Sequence, residues 1–128
     1  MSDYTMLNLR EAEDHAPKFG VGESQEARFP YRELGASTTG FAFYRVKPGK
    51  RQAFAHKHEN AEEIYVILSG SGRVKLGGDV REIGPLDAIR VGPKVIRQFE
   101  ADVDGLELLA FGPRHEGDGE IINEGFWD

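Results

Sequence analysis

The chain predicts an all-β fold of the sandwich or barrel kind, and three observations lead there. Sixteen glycines and six prolines cut its 128 residues into short segments, a density of breakers that suits many strands and few long helices. The turn signals recur at regular, short intervals, as they do when antiparallel strands follow one another. Apart from Leu9–Ala16, no segment sustains the 3.6-residue period of an amphipathic helix.

Taken in order, the elements start in an N-terminal arm, residues 1–36, where Leu9–Ala16 is expected to form one short helix and Arg28–Glu33 the first strand. A barrel core over residues 37–112 follows, with strands at Thr39–Lys47, Gln52–His58, Glu63–Leu68, Gly72–Leu76, Leu86–Val91, Val95–Glu100 and Leu106–Phe111. The turns between them are Pro48-Gly49, Ser69-Gly70-Ser71-Gly72, Gly77-Gly78-Asp79, Gly84-Pro85, Gly92-Pro93 and Asp104-Gly105. The tail, residues 113–128, is polar and glycine-rich and is expected to be loosely held except where Phe126 and Trp127 dock. The segment EIYVIL at Glu63–Leu68 is apolar on both faces after its first residue, so both need cover. The arm, with Phe19, Phe29 and Tyr31, is one candidate cover, and a second copy of the chain in a homodimer is the other.

Composition bounds the function. A single domain of this length buries roughly two-thirds of its unfolded surface, and 39% hydrophobic with 30% charged residues is ordinary for a globular protein. Cysteine is absent, so any metal must be held by nitrogen and oxygen ligands. The net charge of −6 argues against a nucleic-acid partner. Lys47, Lys50, Arg51 and Lys57 read as solvated turn residues. The first residues lack the basic start and apolar core of a signal peptide, and no apolar stretch is long enough to cross a bilayer, so a cytoplasmic location is expected.

The chemistry concentrates in AHKHENAEEIYVILSGSG. Histidines at i and i+2 on a strand, here His56 and His58, point to the same side. A carboxylate from the next strand completes a 2-His-1-carboxylate set able to hold a divalent metal with open positions. Glu63 is preferred to its rival Glu62 because it shares strand parity with Tyr65 and Ile67. His56-x-His58, four residues, Glu63, six residues and Gly70 resemble the first motif of the cupin superfamily, although six residues, not five, separate Gly49 from His56.

The second cupin motif, often GD-x4-PPG-x2-H, is similar in layout to the run from Leu86-Asp87 through Gly92-Pro93-Lys94 to Arg97. Asp87 and Pro93 fit, but Leu86, Gly92 and Lys94 replace a glycine, a proline and a glycine, and Arg97 stands at the histidine position. The resemblance spans about residues 39 to 112. It implies a double-stranded β-helix (a jelly-roll barrel), commonly dimeric, with a pocket inside one end.

Arg97 shares parity with Val95 and Phe99, so it is expected to face the pocket, with Tyr65 and Phe99 on the pocket wall. A guanidinium cannot ligate a metal and, inside a barrel, needs an anion. Two arrangements stay open. Either Glu63 pairs with Arg97 and the site takes no metal, or His56, His58 and Glu63 hold Fe, Mn, Zn or Ni while Arg97 grips a carboxylate of a small anionic ligand. The first suits a binding or sensing module; the second suits a metal-dependent oxygenase or isomerase. His15 and His115 lack ligand spacing and are expected to be exposed; phosphate-loop, calcium-loop and catalytic-serine patterns are missing.

Overall fold

The computed structural model describes residues 3–122 and 125–127. Strands dominate it: β1 (Gln25–Arg28), β2 (Thr39–Val46), β3 (Ala55–His58), β4 (Glu63–Leu76), β5 (Asp79–Ile83), β6 (Ala88–Val91), β7 (Arg97–Pro113) and β8 (Gly119–Ile122). They form one antiparallel eight-stranded sheet that curls on itself, in the order β1-β2-β7-β3-β8, with β4 laid along β7 and carrying β5 and β6. The all-β expectation holds.

The arm differs from expectation in both its elements. Leu9–Ala16 is not an α-helix but a single 3₁₀ turn at Leu9–Glu11, followed by another at Pro17–Phe19. Asp14 breaks the pattern: its carboxylate accepts from the backbone N–H of Ala16 and Ala27, stitching the arm across β1. The first strand ends at Arg28, because Pro30 lacks the N–H a ladder needs and instead leads into the one α-helical turn, α1 (Tyr31–Leu34).

Two long strands replace four expected short ones. Gly70 and Gly72, expected in a turn, lie inside β4 at register shifts against β7. The backbones press together there: a Cβ on Gly72 would stand 1.9 Å from the Glu100 carbonyl oxygen. Asp104-Gly105 likewise sits inside β7. The tail carries β8, which the polar sequence did not announce. Its ladder to β3 matches Ala55 to Ile122 and His58 to Gly119. Beyond it, Trp127 packs between the guanidinium groups of Arg51 and Arg73, 4.5 and 5.2 Å from its ring centroid, and both arginines also bind the Glu100 carboxylate.

Period-2 alternation decides what fills the barrel. Tyr65 and Ile67 of β4 are buried, while Ile64 and Leu68 stay 44% and 39% exposed on the outer face. At one end Val46, Ile67, Val74, Phe99, Leu106 and Leu108 make a solid core, each worth roughly 1.5–3 kcal/mol by burial. Towards the other end one face of the paired strands carries small residues, Gly40 opposite Gly112 and Ala42 opposite Ala110, while the Phe41–Phe111 pair between them belongs to the alternate face. That end is hollow.

Leu86 and Lys94 adopt left-handed backbone, with φ of 70° and 72°. These are the two positions that align with glycines of the resembled second motif, and here non-glycine residues hold left-handed backbone at a cost of about 1–2 kcal/mol per residue.

Gly72→Ala should cost about 3 kcal/mol or more through the clash with Glu100. Gly78→Ala, where a Cβ meets nothing within 4 Å, should stay within about 0.5 kcal/mol of wild type. Urea midpoints of both variants check the pair; equal midpoints would contradict the close approach.

Candidate metal centre and cavity

The site is assembled on β3 and the first residues of β4, with β7 behind. Alternation on β3 turns His56 and His58 to the same interior, their rings 5.2 Å apart and nearly perpendicular at 85°. Glu63 opens β4 and turns its carboxylate between them: Oε1 lies 3.4 Å from His56 Nε2 and 3.1 Å from His58 Nε2. The three donor atoms all lie within 4.8 Å of one another. Glu62 points the other way, to an exposed ion pair with Arg90 at 3.3 Å.

Behind the carboxylate stand the residues that fix it. The Tyr65 hydroxyl donates to Glu63 Oε1 at 2.6 Å. Arg97, opposite His56 in the β3–β7 register, is fully buried. Its Nη1 donates to the Val95 carbonyl at 2.9 Å, and its Nη2 lies 3.5 Å from Glu63 Oε1 without hydrogen-bond alignment. The contact is therefore an ionic one, not a two-pronged pair. Arg97, Tyr65 and Phe99 do share the inward face. They nevertheless lie beneath the site, 0%, 1% and 0% exposed, and none of the three lines the cavity. The anion that meets Arg97 is Glu63.

Burial alone would raise the Glu63 carboxyl. Hydrogen bonds from His56, His58 and Tyr65 outweigh it, so the group is held far below its ordinary value of 4.5. Burial pushes the His56 imidazole down from 6.5, and its contacts with Glu63 only partly offset this. Burial, then the nearby Glu63 charge, drives the hydroxyls of Tyr44 and Tyr65 upward, which keeps both as O–H donors. An ionised carboxylate beside a neutral imidazole is the protonation state a metal needs.

Asp118 had no signal in the sequence. It arrives from the turn before β8, 60 residues beyond His58, and is almost fully buried. Its Oδ1 accepts from the backbone N–H and side-chain amide of Asn60, and its Oδ2 accepts from the N–H of Ala61. Oδ2 also lies 3.3 Å from His58 Nδ1, without hydrogen-bond alignment, while Nε2 faces Glu63. A carboxylate beside the far nitrogen of a metal-binding histidine is a common arrangement, made here by proximity and not by a hydrogen bond.

The histidines and Glu63 open onto a cavity of about 960 Å³ between the barrel mouth, the arm and the tail. His15 belongs to its lining and packs edge-on against Phe29 with ring centroids 5.3 Å apart. The exposure expected for His15 is thereby corrected, while His115 is exposed as expected. Tyr44 and Phe54 also belong to the lining, and no motif or spacing in the sequence singled them out.

A family model described as a cupin domain matches residues 42–111, more than half of the chain, so the chain belongs to the cupin family. No curated protein matches it. Among solved structures it is similar to a cupin protein from Bacteroides fragilis, at 22% identity and TM-score 0.71, covering 98% of this chain and 97% of that one. It is also similar to a polyketide cyclase from Streptomyces resistomycificus, at 18% identity and TM-score 0.75, over 94% and 87%. A third likeness is to oxalate decarboxylase from Bacillus subtilis, at 18% identity and TM-score 0.75, covering 95% of this chain and 33% of that one. At these identities the shared feature is the barrel.

The protonation pattern sets a pH dependence. A depressed carboxyl stabilises the fold above its unfolded value and ceases to do so as the pH falls below about 4.5. A buried neutral histidine resists protonation, so stability already drops as the pH falls below 6.5. Stability should decline with acid in both windows. Urea midpoints at pH 7.5, 5.5 and 3.5 test this, and Glu63→Gln should flatten the lower window; an equally steep profile in that variant would remove Glu63 as its source.

Proposed function

We propose, on the premise that the chain is a cupin, that it is a metal-dependent enzyme of the oxygenase or isomerase kind. His56, His58 and Glu63 hold a divalent ion, Fe, Mn, Zn or Ni, facing the cavity, where a small anionic ligand binds. The convergence of His56 Nε2, His58 Nε2 and Glu63 Oε1 within 4.8 Å carries the reading. The donor set suits a divalent first-row ion: two imidazoles and one carboxylate with open positions. When bound, the ion supplies Lewis acidity towards a ligand oxygen. The chain's own residues do the rest: Asp118 places a negative charge beside the far nitrogen of His58, Tyr65 and Arg97 hold the Glu63 carboxylate in place, and the Tyr44 hydroxyl offers a proton-bearing group at the cavity wall.

One observation favours a second reading. Arg97 Nη2 lies 3.5 Å from Glu63 Oε1, and a fixed positive charge so close to a ligand opposes a cation. In that case the pair takes the place of the metal and the cavity is a non-enzymatic binding or sensing pocket.

Elemental analysis of protein purified without an affinity tag separates the two. The metal reading expects stoichiometric divalent ion, lost in His56→Ala and His58→Ala and weakened about 10–100-fold in Asp118→Asn. Full metal occupancy in the double histidine variant would move the ion elsewhere.

We also infer a homodimer through the outer face of β4, where Ile64 and Leu68 remain exposed. Sedimentation at micromolar concentration should give twice the 14.3 kDa chain mass; a monomer throughout would dismiss it.

A further inference from the structure

The shape and lining of the cavity narrow the ligand class, an inference that extends the proposed site but does not require its metal. Small dicarboxylates and single sugars fill a fraction of 960 Å³, a volume near the upper end for drug-sized ligands. Two kinds of surface line the space. Gly40, Ala42, Ala110 and Gly112, on two adjacent strands, leave flat backbone and methyl groups where other barrel positions carry branched side chains. The same cavity is lined by the rings of Phe29, Tyr31, Tyr44 and Phe54.

The aromatic walls are braced. Phe29 meets Tyr44 edge-on with centroids 6.2 Å apart, and Tyr31 at the rim lies under the Arg114 guanidinium at 4.5 Å. Arg114 is itself fixed by donating to the Ala36 carbonyl at 2.7 Å. His56, His58, Glu63 and Tyr44 supply polar groups from the strands, and exposed charged side chains, Arg32, Arg114, Glu116 and Glu120 among them, also belong to the lining. Small-residue backbone and aromatic rings in one cavity, with His56, His58 and Glu63 as ligand-holding groups, match a slab-shaped molecule that is apolar over its faces and oxygenated along one edge.

We propose that the cavity binds a planar, fused-ring aromatic hydroxy acid, its rings against the Gly40/Ala42/Ala110/Gly112 patch and its oxygen-bearing edge at His56 and His58.

The probe is 3-hydroxy-2-naphthoate, followed by its fluorescence, with malonate as the small-acid competitor. The full-length protein is used after chelator treatment and again after Zn²⁺ loading, with metal uptake measured separately. Naphthoate should bind at least tenfold more tightly than malonate in both forms. Ala110→Leu, which puts a branched side chain on the patch, and Phe54→Ser, which removes a wall, should each weaken it tenfold or more, with folding checked by circular dichroism. Two variants guard against one failing to fold. Malonate binding as tightly as naphthoate, or naphthoate binding indifferent to both variants, overturns the inference. If wild type takes up metal but binds no naphthoate in either form, this inference fails and the metal reading stands. If it binds naphthoate with the expected sensitivities yet takes up no metal, this inference stands and the metal reading fails.

Discussion

Four side chains meet at a single oxygen, Glu63 Oε1: two imidazoles, the Tyr65 hydroxyl and the Arg97 guanidinium, at 3.4, 3.1, 2.6 and 3.5 Å. A carboxylate buried without partners would be neutral, and a guanidinium with no exposed surface would be a large desolvation cost. Each makes the other tolerable. Because Glu63 opens β4, Arg97 opens β7 and the histidines sit on β3, this one charge cluster ties together the three strands that border the hollow end. The solid end is held by ordinary apolar packing; the hollow end depends on this contact.

The cluster also explains the arginine. In the cupin second motif that position carries a histidine, and a histidine there faces the same interior. Arginine lengthens the reach and fixes the charge, and the side chain runs beneath the carboxylate instead of into the cavity. Its charge sits 3.5 Å from Glu63 Oε1, where it offsets part of the carboxylate's negative charge. Leu86 and Lys94 show the same conservatism of form: the glycines are gone, but the left-handed backbone they would favour remains. At Lys94 the reason is visible, since its N–H donates to the His58 carbonyl at 2.6 Å, joining the turn before Arg97 to the ligand strand.

Much of this was legible in the chain. His56, His58 and Glu63 lie within eight residues of one another, where period-2 parity alone decides which side chains converge, and parity also turned Arg97, Tyr65 and Phe99 inward. Strand boundaries were less legible. Gly70, Gly72 and Gly105 read as turn residues, yet they lie inside strands where two backbones approach too closely for a Cβ or where the chain bulges. Asp118 and β8 were hidden for a different reason: a four-residue strand at the sheet's edge, with Gly119, Glu120 and Ile121 all exposed, is too short and buries too little to leave a hydrophobic period to detect. The contact that matters there spans 60 residues and is specified by shape alone.

Asp118 couples the turn before the last strand to the strand that carries the histidines. Asp118 holds the turn at Asn60 and Ala61 with three hydrogen bonds and stands against the far nitrogen of His58, while β8 is joined to the sheet through β3 alone. Edge segments of this kind open and close well below the free energy of global unfolding. Each such opening would release an imidazole's orientation together with one wall of the cavity. Fraying of the tail and emptying of the site are then a single equilibrium, and whatever occupies the cavity draws the edge strand shut by mass action.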